Sequence, residues 1–167
     1  MKSVVIVLIV AAVVAAAGAG VYLVTANGGG DDTSGKDGGG DTPAVDPEVA
    51  DMGLVLTVDG VRVDVVWEDN PSVGALKGLA KSTLTVDMER YGGFEQTGKM
   101  KSLIVRNDSW MDVGSGDVVL YNGNQICLYF DDNAYNFTRL GKISGMSEPE
   151  IRAMLDKPSV TAVLTLE

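Results

Sequence analysis

Histidine is absent from the sequence, and cysteine occurs once, as Cys127. Without histidine the chain lacks the side chain that most often serves as general base, catalytic-triad member or zinc ligand. A single cysteine cannot form an internal disulfide, and its place in the apolar run Ile126–Phe130 predicts a small buried side chain rather than a nucleophile. The sequence therefore predicts no catalytic residue, no metal site and no cofactor.

Charged residues are missing from Val4 to Val24, and Lys2 is the only charged side chain before Asp31. A helix rises about 1.5 Å per residue, so roughly 20 apolar residues span a bilayer core of about 30 Å. Because Lys2 precedes the run and acidic residues follow it, the positive-inside bias keeps the N-terminus in the cytoplasm and exports the rest. We predict that residues 1–26 form a single-pass anchor in the cell membrane.

A cleaved signal peptide is the alternative interpretation of residues 1–26. Signal peptides have an apolar core of roughly 7–15 residues followed by an Ala-x-Ala-like site, and residues 15–17 and 24–26 fit such a site. The protein is secreted if the segment is cleaved and stays tethered if it is retained. Both alternatives place the C-terminal domain outside the cytoplasm, and the membrane is a partner only through the N-terminal helix.

Large apolar side chains are scarce in residues 27–52, where glycine and aspartate dominate. Such a segment cannot bury enough apolar surface to offset the entropy of ordering it, so we predict a disordered linker. Residues 53–167 carry 16 acidic and 11 basic side chains, a net charge of −5. This charge argues against nucleic acid as a partner.

Residues 53–167 predict one domain that is mainly β. Alternating apolar and polar residues, separated by turns such as Asp59-Gly60 and Asn122-Gly123, indicate antiparallel strands joined by hairpins. The predicted strands are residues 54–58, 61–67, 82–88, 103–105, 118–121, 125–130, 137–143 and 160–166. Helices are predicted at residues 73–79 and from about residue 147 to residue 155, the second with a serine cap followed by proline. About eight strands and two short helices favour a closed antiparallel barrel.

The elements in this order resemble the cyclophilin-like fold, and most closely the small bacterial and archaeal cyclophilin-like proteins of poorly defined function. The similarity covers nearly all of residues 53–167. It rests on the hairpin of residues 54–67, the Asn-Pro-Ser stop at 70–72, the strands at 116–121 and 125–130, and the last helix and strand. Its most specific part is the Arg-Leu-Gly-Lys-Ile run at 139–143. The resemblance implies a closed antiparallel cyclophilin-like β-barrel with two short helices, here preceded by one N-terminal transmembrane helix.

Aromatic side chains and one arginine mark the candidate ligand site. Tyr135, Phe137 and Arg139 occupy alternate positions, so a regular strand directs all three to one face, while Trp110 is predicted in a loop. An aromatic face with an arginine suits peptide binding, so we predict these four as ligand-binding residues. The alternative is that the two strand aromatics belong to the core and that Arg139 is a surface charge.

Two charged residues and one acidic loop are weaker candidates for binding sites. Glu95 and Lys99, in a region bounded by glycines, are predicted to line the same groove. The Asp-Asp-Asn run at residues 131–133 offers oxygen ligands for a cation, but a loop after a strand explains it equally well.

Cyclophilins isomerise peptidyl-prolyl bonds, and the resemblance implies how: an arginine in a shallow apolar groove stabilises the twisted amide without covalent chemistry. This chain lacks the compact Phe-x-x-Gln pattern and the histidine that help to mark that groove. We therefore predict a membrane-tethered extracytoplasmic cyclophilin-like domain that binds a peptide, protein or small ligand without catalysis. The alternatives are a peptidyl-prolyl isomerase acting on exported proteins and a structural module of a cell-surface assembly.

Overall fold

The computed structural model describes residues 47–167, which form a mainly β domain with two helices. Its strands are β1 (Leu54–Val58), β2 (Val61–Val63), β3 (Val65–Trp67), β4 (Leu84–Tyr91), β5 (Glu95–Lys99), β6 (Ser109–Val113), β7 (Asp117–Tyr121), β8 (Gln125–Tyr129), β9 (Asn133–Ile143) and β10 (Ser159–Leu166). Its helices are α1 (Pro71–Ala80) and α2 (Glu148–Leu155). The predicted anchor or signal segment, residues 1–26, and residues 27–46 of the predicted linker lie outside the described residues. Neither described helix has the length and apolar character needed to cross a membrane.

The sheet is a nearly closed antiparallel barrel whose neighbouring strands follow the order β2-β1-β10-β4-β5-β8-β7-β9-β3. The strands at the two ends of this order are consecutive in the chain, with only Asp64 between them. The first half of residues 61–67 pairs with β1 and the second half pairs with β9. The single strand predicted for residues 61–67 is therefore wrong. The chain leaves one edge of the sheet at Asp64 and joins the other, which brings the two edges together.

The barrel interior holds the main hydrophobic core. Successive side chains of a strand point to opposite faces, so Leu54, Leu56 and Val58 of β1 all face inward and are at most 7% exposed. Leu76 of α1 and Leu155 of α2 are fully buried in the same cluster. Full burial of one such side chain contributes roughly 1.5–3 kcal/mol, so these inward rows hold the helices against the barrel.

Both helices begin where local chemistry predicts a start. The side-chain oxygen of Asn70 accepts a hydrogen bond from the backbone N–H of Val73 at 3.0 Å, which caps α1. In α2 the backbone N–H of Ser147 donates to the carboxylate of Glu150 at 2.7 Å, half of a reciprocal capping box. The prediction of α2 is confirmed, and α1 begins two residues earlier than predicted, at Pro71.

Strand β9 takes part in two separate ladders and is not straight between them. Asp117 of β7 pairs with Lys142, whereas Val113 of β6 pairs with Asn133. Val113 and Asp117 are close in the chain, so Asn133 and Lys142 lie at most about 25 Å apart, whereas a straight strand between them would span about 30 Å. The first half of β9 and β6 therefore form a small two-stranded sheet of their own.

Some strand boundaries differ from the prediction. The strands that were missed lack the alternation of a half-buried strand, and the segment wrongly predicted as a strand has a composition typical of one. Strands β5 and β6 were not expected; β5 reads Glu-Gln-Thr-Gly-Lys and has no large apolar side chain. Residues 103–105 are irregular although they are apolar, so the predicted strand there is wrong. Strand β9 begins at Asn133 rather than at Phe137, and the described domain has ten strands rather than about eight.

Residues 47–52, at the end of the predicted linker, form a turn that packs on the barrel. Val49 is 1% exposed. The ammonium of Lys77 in α1 donates to the backbone oxygen of Ala50 at 3.0 Å, and Lys81 forms an ion pair with Glu48 at 2.9 Å. The packed part of the domain therefore begins before Gly53.

Candidate functional site

The outer face of the barrel carries a second hydrophobic cluster. Val119 of β7 and Cys127 of β8 are cross-strand partners, and they point away from the main core because their chain neighbours point into it. The small sheet formed by β6 and the first half of β9 packs on them. The buried members of the cluster are Val113, Val119, Cys127, Tyr129 and Phe137, and its partly buried members are Phe94, Met111 and Tyr121.

A continuous band of aromatic rings runs through this cluster, which we call the aromatic band: Tyr91, Phe94, Tyr121, Tyr129, Tyr135, Phe137 and Trp110. Adjacent ring centroids lie 5.8–6.2 Å apart. The middle of the band is buried at Tyr129 and Phe137, whereas Trp110 is 66% exposed, Tyr135 37% and Tyr91 45%. Aromatic pairs at these distances add roughly 0.5–1.5 kcal/mol beyond burial, and the band is most exposed at its two ends.

The structure brings three of the four sequence-predicted ligand residues into direct contact. The Tyr135 ring lies 5.8 Å from the Phe137 ring and 6.2 Å from the Trp110 ring. Trp110 lies in strand β6, so its prediction as a loop residue is wrong. Phe137 is only 4% exposed, and its ring packs against the partly exposed Tyr135 ring.

Arg139, the fourth predicted residue, lies on the outer face, where an ion pair with an acidic side chain holds it. It is the cross-strand partner of Val119. Its guanidinium pairs with the buried carboxylate of Asp117, which also pairs with Lys142 at 3.3 Å. The second Arg139 nitrogen lies 3.5 Å from the backbone oxygen of Asp112 in β6. Arg139 thus lies beside the small sheet without a ring contact to the aromatic band.

Glu95 is the least expected feature of the outer face. It lies opposite Tyr129 on one side and opposite Tyr91 on the other, yet it is only 5% exposed. Its Oε2 atom has no hydrogen-bond partner within the described residues. Burial raises the pKa of the Glu95 carboxyl above its usual range, and interactions with Tyr129 and Cys127, which lower it, offset this only in part.

The two groups that interact with the Glu95 carboxyl both remain protonated. Burial, together with the Glu95 charge, raises the pKa of the Tyr129 hydroxyl far above its usual range. Burial likewise raises the pKa of the Cys127 thiol well above its usual range, and its sulfur lies 3.3 Å from the Thr97 hydroxyl. A thiol held in this way is a poor nucleophile, in agreement with the structural role predicted for Cys127.

The remaining candidates lie apart from this cluster. Lys99, at the far end of β5, is exposed. In the acidic loop, Asp131 forms an ion pair with Arg152 at 2.6 Å, which lowers the pKa of its carboxyl. Residues 47–167 contain no group of three or more cysteine or acidic side chains that could hold a metal ion.

A model described as the cyclophilin-like family matches residues 56–167. The chain belongs to this family. No curated protein and no solved structure matches it. The matched residues of this cyclophilin-like domain include the whole aromatic band, Arg139 and Glu95.

Proposed function

We propose that this protein is a membrane-tethered cyclophilin-like domain that works outside the cytoplasm and binds a peptide or small ligand without covalent chemistry. The ligand contacts Trp110 and Tyr135, with Phe137 beneath them and Arg139 beside them. The observation that carries the proposal is the exposure of the Trp110 and Tyr135 rings, 66% and 37%, at one end of a band whose Tyr129 and Phe137 rings are buried.

Two physical features favour binding at this end of the aromatic band. Tryptophan, tyrosine and arginine contribute most often to the energetic centres of binding surfaces. The Tyr135 ring is already held by contacts with Tyr121 and Phe137, and the Trp110 ring contacts Tyr135. A ligand that docks on them therefore pays less side-chain ordering entropy than it would on free rings.

The membrane tether and the location are supported by the sequence. Residues 4–24 form an uncharged apolar run of membrane-spanning length, and a glycine- and aspartate-rich segment separates it from the domain. Fusion of a topology reporter to residue 167 of the full chain tests this part. Signal from a reporter that is active only in the cytoplasm would contradict the proposed location.

Selection of random heptapeptides on the full chain in lipid nanodiscs tests ligand binding. Peptides enriched over empty nanodiscs should bind at least ten-fold more weakly to Trp110→Ala and Tyr135→Ala, as measured by fluorescence anisotropy. Leu103→Ala, at a 75% exposed residue outside the aromatic band, is the matched control and should bind as the wild type does. Equal binding by the Trp110→Ala variant, or no enrichment, argues against the proposal.

A prolyl isomerase is the second candidate, because Arg139 is an arginine on the outer face beside the aromatic band. Isomerisation of a proline-containing tetrapeptide by the full chain is the assay. A rate at least ten-fold above background that falls to background in Arg139→Gln would replace the non-catalytic proposal. Arg62→Gln, at an exposed arginine paired with Glu167, controls for the loss of one positive charge.

A further inference from the structure

We propose that Glu95 binds a protonated primary amine at the end of the aromatic band opposite Trp110. The amine site consists of the Glu95 carboxyl, the Tyr129 hydroxyl and the rings of Phe94 and Tyr91. The ammonium group comes from a free amine or from a lysine side chain of a peptide. The proposal rests on the proposed function only in that the same aromatic band receives the ligand.

The first step is that the pairing of Glu95 is incomplete. A buried carboxyl costs several kcal/mol if it is charged and unpaired. None of the ion pairs within the described residues involves Glu95. If Glu95 is a neutral acid with its proton on Oε2, that proton has no hydrogen-bond acceptor. If Glu95 is a carboxylate, no cation balances its charge at Oε2. A ligand with a positively charged N–H group supplies the cation that the carboxylate lacks.

The second step is that the neighbouring groups are arranged for a negative charge. The side-chain amide of Asn133 donates to the Tyr129 oxygen at 3.3 Å. This leaves the Tyr129 hydroxyl proton for Glu95, and Tyr129 keeps that proton because burial raises its pKa. The Cys127 thiol interacts with the same carboxyl. The protein thus supplies hydrogen-bond donors to the carboxylate but no full positive charge.

The third step is the chemistry of the aromatic rings around Glu95. The Phe94 and Tyr129 rings are parallel with centroids 6.1 Å apart, and the Tyr91 ring meets Phe94 edge to face at 6.1 Å. Aromatic faces attract cations, most strongly where water is excluded. Residues 47–167 carry 18 acidic and 11 basic side chains. An anionic ligand is therefore disfavoured by the field of the domain.

Arg90, the chain neighbour of Tyr91, pairs with Asp156 at 3.1 Å, and two further basic side chains of the barrel are also engaged elsewhere. Arg139 and Lys142 both pair with Asp117. Asp117 is buried, so withdrawing either cation from it would leave a second unpaired buried charge. The charge that Glu95 lacks must therefore come from outside these residues.

The route to Glu95 passes the hairpin between β4 and β5. Tyr91, the cross-strand neighbour of Glu95, is 45% exposed, so the carboxyl lies one side chain below the surface. Gly92 and Gly93 form the tip of this hairpin, both with positive φ. Displacement of the Tyr91 ring admits an ammonium group carried on a short alkyl chain.

The test is an NMR titration of the full chain in lipid nanodiscs, with carbon detection of the glutamate carboxyls. The probe is n-butylammonium, and n-butanol is its uncharged isostere. We expect a saturable shift of the Glu95 carboxyl signal with the ammonium only. Binding should weaken as the pH falls, because the amine and a proton compete for the same carboxyl. Glu95→Gln should weaken binding at least ten-fold, whereas Glu89→Gln, at an exposed position of β4, should not.

Three results would overturn the proposal. The first is no saturable shift up to about 50 mM probe, where an ion pair with a cation–π contribution is already detectable. The second is equal binding of n-butanol. The third is binding that is equally tight or tighter at lower pH, which indicates that the amine does not pair with the Glu95 carboxylate. Urea denaturation of Glu95→Gln checks that the variant is folded.

Two further comparisons assign the source of the amine and separate this proposal from the proposed function. Nα-acetyl-lysine methylamide binding at least ten-fold more tightly than n-butylammonium assigns the amine to a peptide lysine, and equal binding assigns it to a free amine. Trp110→Ala should leave n-butylammonium binding unchanged. Peptide binding that depends on Trp110, together with no shift of the Glu95 signal on addition of the amine, would contradict this proposal and leave the proposed function intact.

Discussion

Substitution of Val49 by threonine should destabilise the domain, because residues 47–52 belong to its packed structure. Val49 is 1% exposed, and threonine keeps its shape while a hydroxyl replaces one methyl group. Burial of a hydroxyl without a partner costs about 1–3 kcal/mol, which lowers the thermal midpoint of a domain this size by roughly 4–10 °C. Val66→Thr, at a 65% exposed valine of β3, is the matched control and should change stability by less than about 0.5 kcal/mol.

Urea denaturation followed by circular dichroism measures the difference. The midpoint of Val49→Thr should fall while the slope with urea stays unchanged, since the surface exposed on unfolding is the same. A chain that begins at Gly53 should lose at least as much stability as Val49→Thr, because it also loses the Lys77 hydrogen bond to Ala50. If both valine variants unfold at the wild-type urea concentration, residues 47–52 do not pack on the barrel and the domain begins at Gly53.

Three further predictions follow from the interior. Gly98→Ala should cost about 2 kcal/mol or more in urea denaturation, because its Cβ would lie 2.6 Å from the backbone oxygen of Asp87; Gly78→Ala, in open space on α1, should instead stabilise by about 1 kcal/mol. Gln96→Leu should cost about 2–4 kcal/mol, because the fully buried Gln96 amide donates at 2.7 Å to the carbonyl of Leu155, the last residue of α2, and at 2.6 Å to that of Lys157 just after it. An unchanged denaturation midpoint would show that these two hydrogen bonds do not stabilise the domain. The folded-state pKa of Glu95 is raised, so the folded protein holds this proton more tightly than the unfolded chain, and stability should fall as pH rises above about 4.5. Glu95→Gln should flatten that fall, and a variant with the wild-type pH profile would show that Glu95 is not its source.

The elements that the sequence predicts correctly are those set by neighbouring residues. The turns at Asp59-Gly60 and Asn122-Gly123 need positive φ, and the structure has positive φ at all four residues. The start of α2 depends on Ser147 and the residues just after it. Such chemistry is complete within a few residues, so no knowledge of the rest of the fold is needed.

Elements that depend on distant partners are the ones the sequence does not predict. Strand β5 has no large apolar residue, and Glu95 and Gln96 are buried only because β4 and β8 flank them. The division of residues 61–67 at Asp64 follows from closure of the barrel, which no local pattern encodes. Burial of Glu95 could have been inferred only from its position opposite Tyr129.

The candidate site is predicted in part for the same reason. Alternation along β9 correctly groups Tyr135 with Phe137, since both belong to one ladder with β6. Trp110 comes from a different strand, and its contact with Tyr135 depends on the pairing of β6 with β9. Whether these residues bind a ligand stays a prediction.

The small sheet decides where a ligand can reach the outer face. It covers the middle of the aromatic band, where Phe137 and Tyr129 are at most 4% exposed, and thereby makes that region a second core rather than an open groove. An extended ligand cannot lie along the whole band unless the sheet lifts. A ligand of the outer face would therefore contact the exposed rings at the two ends, at Trp110 and at Tyr91.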